Sequence, residues 1–280
     1  MKITVANTSG FCFGVKRAIR IAKKEAKKHT EVLMLKDLVH NEEVIKDLSK
    51  LGIRKIKNLS KLDNKKTLLL CAHGEPKNII DEAKNYGYRI VDATCPMVKH
   101  IHNIAKNIEK QNRTVIIIGD RRHAEVIGIL GQINKKAIVV DPSKKLNLER
   151  LKKIKSASII VQSTQELDTV LKIKDILSKY ISDLQFFNTI CKPTQARQED
   201  VKKIAKENEV VIVIGSKNSA NTKRLYQISK KINKNTYWIN NESELKNSWF
   251  KRINYVGVTA GASTPQSTIK KVLKKIREFS

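Results

Sequence analysis

The chain has 280 residues, four cysteines and a formal net charge of +29, with 40% hydrophobic residues, enough for two or three small domains with apolar cores. No apolar run approaches the ~18 residues needed to cross a bilayer, and no signal-like apolar segment follows Met1-Lys2, so a cytoplasmic protein with no membrane partner is expected. Four cysteines at wide spacing make a poor disulfide framework and favour metal or redox work in a reducing compartment.

The positive charge raises the question of nucleic acid. The lysines are scattered along helices, as in Lys23-Lys24, Lys27-Lys28 and Lys202-Lys203, and only 5% of residues are aromatic. A general basic surface, or steering of a polyanionic substrate, fits this pattern better than a nucleic-acid partner.

In chain order, Ile3-Val5 reads as a strand that runs through Thr8 to Cys12 and into a helix over 15–28. Strand-like runs follow at Val32-Leu35 and Thr67-Cys71, with amphipathic helices over 41–51 and 76–86. Arg89-Val91 then ends in Asp92-Ala93-Thr94-Cys95, where Pro96 opens a helix carrying Ile101, Ile104 and Ile108. Val115-Ile118, Ala137-Val140 and Ser158-Val161 are further strands, and Leu184-Phe187 leads through Thr189 to Cys191 and a third such helix. Val210-Ile214 and Tyr255-Val258 complete the series. Strands alternating with helices predict an α/β fold with parallel sheets.

Cys12, Cys95 and Cys191 thus occupy one recurring context, roughly a third of the chain apart: strand, a Thr within four residues, cysteine, helix. Free backbone N–H groups at a helix start stabilise a thiolate there. Three such thiols suit an iron–sulfur cluster, a zinc site with a histidine, or merely small residues at helix starts. Cys71, inside an apolar run, reads as an inert core thiol.

A second repeat lies at strand ends: A-H-G-E-P (72–76), G-D-R-R-H-A-E-V-I-G (119–128), G-S-K-N-S-A-N (215–221) and A-G-A-S-T-P (260–265). In open α/β sheets ligands bind beyond the carboxyl ends of strands. His73, His123, Glu125, Ser219, Asn221 and Ser263 all fall there, and His40 precedes a helix starting at Asn41-Glu42-Glu43. Such imidazoles and small hydroxyl-rich loops can hold a phosphate, and an adjacent imidazole and carboxyl can move a proton. His29, His100 and His102 read as surface residues.

Together G-F-C-F-G-V, V-H-N (39–41), A-H-G, D-A-T-C-P, H-x-E-V-x-G, Q-S-T (162–164), Arg197-Gln198, G-S-K-N-S-x-N and G-A-S-T-P resemble the 4-hydroxy-3-methylbut-2-enyl diphosphate reductase family over the whole chain. The resemblance implies three similar small α/β domains in pseudo-threefold arrangement around a central [4Fe-4S] cluster, held by Cys12, Cys95 and Cys191 with one iron open. It implies domains at 1–95, 96–191 and 192–280, the first ~13 residues packing with the third. His40, His73, His123, Ser163, Ser219, Ala220, Asn221 and Ser263 would bind the substrate, with His40, His73, Ser219, Asn221 and Ser263 on its diphosphate. Glu125 would be the acid, relayed through His123 and the hydroxyl of Ser163 or Thr164. The implied reaction is a two-electron, two-proton dehydroxylation in isoprenoid biosynthesis, fed by a ferredoxin or flavodoxin. Two positions depart from the family pattern: Ala220 replaces a second Ser, and Ser163 stands where Thr is usual. Two other readings compete with this one. A zinc hydrolase would use the same thiols and histidines, and a nucleic-acid-binding protein with structural metal would use the charge.

Overall fold

The computed structural model describes residues 1–28, 31–61, 66–146 and 148–279, so His29 lies outside the described residues. Its twelve strands are β1 (Lys2–Val5), β2 (Val32–Met34), β3 (Ile53–Lys55), β4 (Thr67–Leu70), β5 (Arg89–Asp92), β6 (Thr114–Ile118), β7 (Ile138–Val140), β8 (Ser156–Val161), β9 (Asp183–Phe186), β10 (Val210–Ile214), β11 (Thr236–Ile239) and β12 (Tyr255–Ala260). The helices used below are α1 (Phe13–Ala26), α2 (Glu42–Lys50), α3 (Lys77–Asn85), α4 (Pro96–Lys110), α5 (Ala124–Leu130), α6 (Leu148–Lys152), α7 (Leu167–Leu177), α8 (Lys192–Glu207), α9 (Ala220–Ile232) and α10 (Gln266–Glu278).

The strands form three four-stranded sheets, ordered β3-β2-β4-β5, β7-β6-β8-β9 and β11-β10-β12-β1, with parallel pairing in each. Numbered by repeat, each order is 2-1-3-4. In the third sheet the fourth strand is the first of the chain, because β1 pairs with β12 from Lys2↔Tyr255 to Val5↔Val258. Three of the four cysteines therefore follow the fourth, edge strand of a sheet: Cys12 after β1, Cys95 after β5 and Cys191 after β9. The fold is α/β, as the alternation predicted.

By contact density the chain divides into two compact units. One comprises Met1–Lys16, Val39–Asp47 and Lys192–Ser280, and contains the sheet of β10–β12 and β1. Its strand β10 is buried on both faces: Val210, Ile212 and Ile214 join the core with Val258 and Ile269, while Val211 and Val213 pack with Val201 and Leu225. The other comprises Arg17–Leu38 and Leu48–Cys191 and holds the remaining two sheets. In β6 the alternation repeats, with Ile116 and Ile118 on one face and Val115 and Ile117 on the other. Burial on both faces explains why these strands read as unbroken apolar runs.

Strands β3 and β11 escape the sequence reading. In β3 only Ile53 is buried, and in β11 only the two ends are. No helix among the described residues is long and apolar enough to cross a membrane.

Candidate active site

The three cysteine corners are built alike. Cys12 N–H donates to Ala262 O (3.1 Å), Cys95 N–H to Ala72 O (2.9 Å) and Cys191 N–H to Ser163 O (3.1 Å). In each case the acceptor lies in the loop after the neighbouring third strand, so one sheet fixes one corner. All three side chains are partly exposed, all four cysteines of the chain are thiols, and Cys71 alone is buried. Burial pushes the Cys71 thiol up to about 12, aided by Glu75, whose carboxylate lies 3.5 Å from its sulfur. A thiol with that pKa is a poor ligand or nucleophile. Helices α1, α4 and α8 start directly after Cys12, Cys95 and Cys191, and none has an acidic residue in its first turn. The positive helix ends are thus left for a thiolate or another anion.

In the first unit the loops after β10 and β12 carry four of the candidate residues. Ser219 caps α9, its Oγ accepting from Thr222 N–H at 3.3 Å. Asn221 is buried, and its side-chain N–H group has no acceptor among the described residues, a donor suited to an anionic oxygen. Ala220 is also buried and offers only its backbone. Ser263 Oγ donates to His40 O at 2.9 Å, which ties the V-H-N segment to this loop. Glu42 reinforces that tie by accepting from Ser216 Oγ (2.7 Å) and Asn218 Nδ2 (3.2 Å), as does Glu43 by accepting from Thr268. Gly261 is required here, since a Cβ would sit 2.1 Å from Thr222 Oγ1.

In the second unit His123 caps α5, its Nδ1 accepting from Glu125 N–H at 3.2 Å. The neutral ring then carries its proton on Nε2, ready to donate. His73 meets His123 edge-on at 5.4 Å between ring centroids. Gly128 in α5 and Gly131 just after it let the helix approach the 73–76 loop. A Cβ on Gly128 would lie 3.2 Å from Gly74 O, and one on Gly131 would lie 2.3 Å from Pro76 Cβ.

Glu125 is 1% exposed, and both of its oxygens are held by Ser163: N–H to Oε1 at 2.6 Å and Oγ–H to Oε2 at 2.7 Å. Burial raises its pKa, against the pull of those two hydrogen bonds. Thr164 Oγ1 instead accepts from Gln162 Nε2 at 3.0 Å. Of the two hydroxyls left open by the sequence, that of Ser163 touches the carboxyl.

One expectation is corrected. His100 is exposed, but His102 is buried at 7% exposure against Gly74 and Thr94, and burial together with Lys106 lowers its pKa to about 4. The sequence reading also passes over Glu42 and Glu43, although two acids directly after V-H-N in so basic a chain are a signal.

The sequence model of the family described as "LytB protein" matches residues 3–277. The chain belongs to the LytB family. A relative from Campylobacter hominis named 4-hydroxy-3-methylbut-2-enyl diphosphate reductase is 40% identical over 278 residues, 99% of this chain and 98% of the relative. One of the same name from Aquifex aeolicus is 37% identical over 281 residues, 99% and 96% of the two chains. The solved structure of (E)-4-hydroxy-3-methyl-but-2-enyl diphosphate reductase, the terminal enzyme of the non-mevalonate pathway, matches with a TM-score of 0.71 and 36% identity over 99% of this chain and all (100%) of that one. The E-1-hydroxy-2-methyl-but-2-enyl-4-diphosphate reductase from Plasmodium falciparum matches with a TM-score of 0.88 and 29% identity, over 97% and 86% of the chains. This LytB chain therefore shares its length and fold with reductases of one named activity.

Proposed function

We propose that the chain reductively dehydroxylates 4-hydroxy-3-methylbut-2-enyl diphosphate to isopentenyl diphosphate and dimethylallyl diphosphate. Two electrons and two protons enter, one C–O bond breaks, one C–H bond forms and water leaves. The observation that carries this reading is Ser163, whose carbonyl anchors the Cys191 corner while its N–H and hydroxyl hold Glu125. A proton-bearing carboxyl is thereby built into the same turn as a candidate metal-ligand corner.

The three corners fit a [4Fe-4S] cluster in donor chemistry: matched, partly exposed thiols at positive helix ends. We assign Cys12, Cys95 and Cys191 to it. Bound there, it would supply electrons and one open iron for the substrate's hydroxyl oxygen. We assign the substrate to His40, His73, His123, Ser163, Ser219, Asn221 and Ser263, with His40, His73, Ser219, Asn221 and Ser263 on its diphosphate and the backbone N–H of Ala220 in place of a hydroxyl. His123 donates from Nε2, because Nδ1 is engaged by Glu125 N–H. Glu125, protonated to higher pH than an exposed carboxyl, is the proton source, and the Ser163 hydroxyl, which donates to Oε2, relays the proton when it turns its own O–H toward the substrate and accepts from the carboxyl. This reading places the protein in the cytoplasm, with a small acidic ferredoxin or flavodoxin as donor and no nucleic-acid partner. It also places domain boundaries after Cys95 and Cys191, with residues 1–13 counted with the third domain.

Anaerobic purification with iron and sulfide counts is the test. About four irons and four sulfides per chain, lost in Cys12→Ser, Cys95→Ser or Cys191→Ser but kept in Cys71→Ser, with turnover of the hydroxylated allylic diphosphate, are expected. Zinc alone, or a colourless protein after reconstitution, overturns the assignment.

A further inference from the structure

Two arginines hold the backbone just ahead of two of the candidate cluster cysteines. Arg17, on the helix that Cys12 opens, donates from Nη1 to Thr94 O at 3.0 Å, and Thr94 immediately precedes Cys95. Arg197, on the helix that Cys191 opens, donates from Nη2 to Gly10 O at 2.7 Å and from Nη1 to Pro193 O at 3.0 Å. Gly10 lies just ahead of Cys12 with φ at +92°, and Arg197 is only 5% exposed. At the third corner Thr189 exchanges hydrogen bonds with Val161, and Asn188 accepts from Ile190 N–H. The cysteine corners thus share a backbone plan but differ in side-chain support.

A guanidinium is permanently charged, and its planar fork fixes the direction of each donated bond. Set on a carbonyl beside a cysteine, it restrains the corner and puts a positive charge within roughly 10 Å of the sulfur. A positive charge at that range favours the more negative, reduced form of a cluster. We propose that Arg17 and Arg197 are positioning residues for Cys95 and Cys12 respectively, and that they raise the reduction potential of the group these cysteines bind. The part concerning potential rests on the cluster reading; the part concerning restraint does not.

Hydrogen exchange on the metal-free protein tests the restraint. In Arg17→Met, amides at 93–95 should exchange about tenfold faster, the worth of one charge-assisted hydrogen bond. Arg197→Met should do the same at 10–12 while amides at 93–95 keep wild-type rates, and in Arg17→Met amides around Cys191 should keep theirs. Unchanged rates at the named corner, or a uniform rise at all three, overturns the proposal. In iron-loaded protein Arg197→Met should lower the midpoint potential while Arg197→Lys, which keeps the charge with a simpler donor, preserves it. Equal potentials in wild type and Arg197→Met also overturn the proposal. The Lys variant carries the exchange test if the Met variant fails to fold, through a partial loosening at 10–12 that unchanged rates would refute. Failure of the wild type to take up iron would refute the cluster assignment and leave the exchange result standing.

Discussion

A carboxyl group as buried as that of Glu125 resists ionisation, and the two hydrogen bonds from Ser163 only partly offset the loss of water. Because its pKa is raised in the folded state, it contributes stability below the unfolded value and loses it as pH rises through the folded one. Glu125→Gln keeps hydrogen bonds to Ser163 and does not titrate. The variant should therefore gain melting temperature relative to wild type as pH rises from about 4.5, while retaining the fold and losing nearly all turnover. Parallel melting curves across that range, or wild-type turnover, would remove Glu125 from the proton's path. The sequence places Glu125 beside His123, but it cannot decide between Ser163 and Thr164, because two adjacent hydroxyls differ only in which way the backbone turns them. His102 shows the opposite failure. Its ring packs against the distant Gly74, where a Cβ would come within 2.6 Å of the imidazole, yet its place four residues after Val98 and three before Ala105 already sets it on the buried face of α4.

At the scale of elements, the clearest signals were the long apolar runs. Strands covered on both faces, such as β6, β8 and β10, show as apolar runs, while the edges β3 and β11 do not. Gly128 was legible as part of H-x-E-V-x-G but not as a cause, and Gly131, just after α5, belonged to no motif. Lys77 N–H donates to Gly131 O at 2.9 Å and Gln132 Nε2 to Glu75 O at 2.9 Å, so the end of α5 is fastened to the start of α3. That fastening needs a glycine. In Gly131→Ala the new methyl would overlap Pro76, whose Cα would lie 2.5 Å away, and backbone does not yield as a flexible side chain does. The expected cost is about 1–3 kcal/mol of stability, with weakened substrate binding through a displaced His73–His123 pair. Gly128→Ala, at 3.2 Å from Gly74 O, should cost less. Urea denaturation of both variants checks the order, and a Gly131→Ala protein as stable as wild type would show that α5 can move without consequence.

Across the whole molecule the charge of +29 has two sources with different consequences. Part of it is local: Lys23 and Lys24 end α1, Lys230 and Lys231 end α9, and Lys275 and Arg277 end α10, where cations complement the negative helix end. The remainder exceeds anything helix capping requires, and under the proposed function the substrate is a diphosphate and the electrons come from an acidic donor. Fields of this size steer encounters, and salt screens them over ~8 Å at physiological ionic strength. Raising salt from about 50 to 500 mM should therefore lower kcat/KM for an acidic ferredoxin or flavodoxin by about tenfold or more. Turnover at saturating donor should hardly change, because the charges act before the complex forms. A small dye reductant of the opposite sign to such a donor should show no such decline. If donor kcat/KM is indifferent to salt, the lysines are a solvated coat with no part in the encounter, and the redox partner must be held by apolar contacts instead.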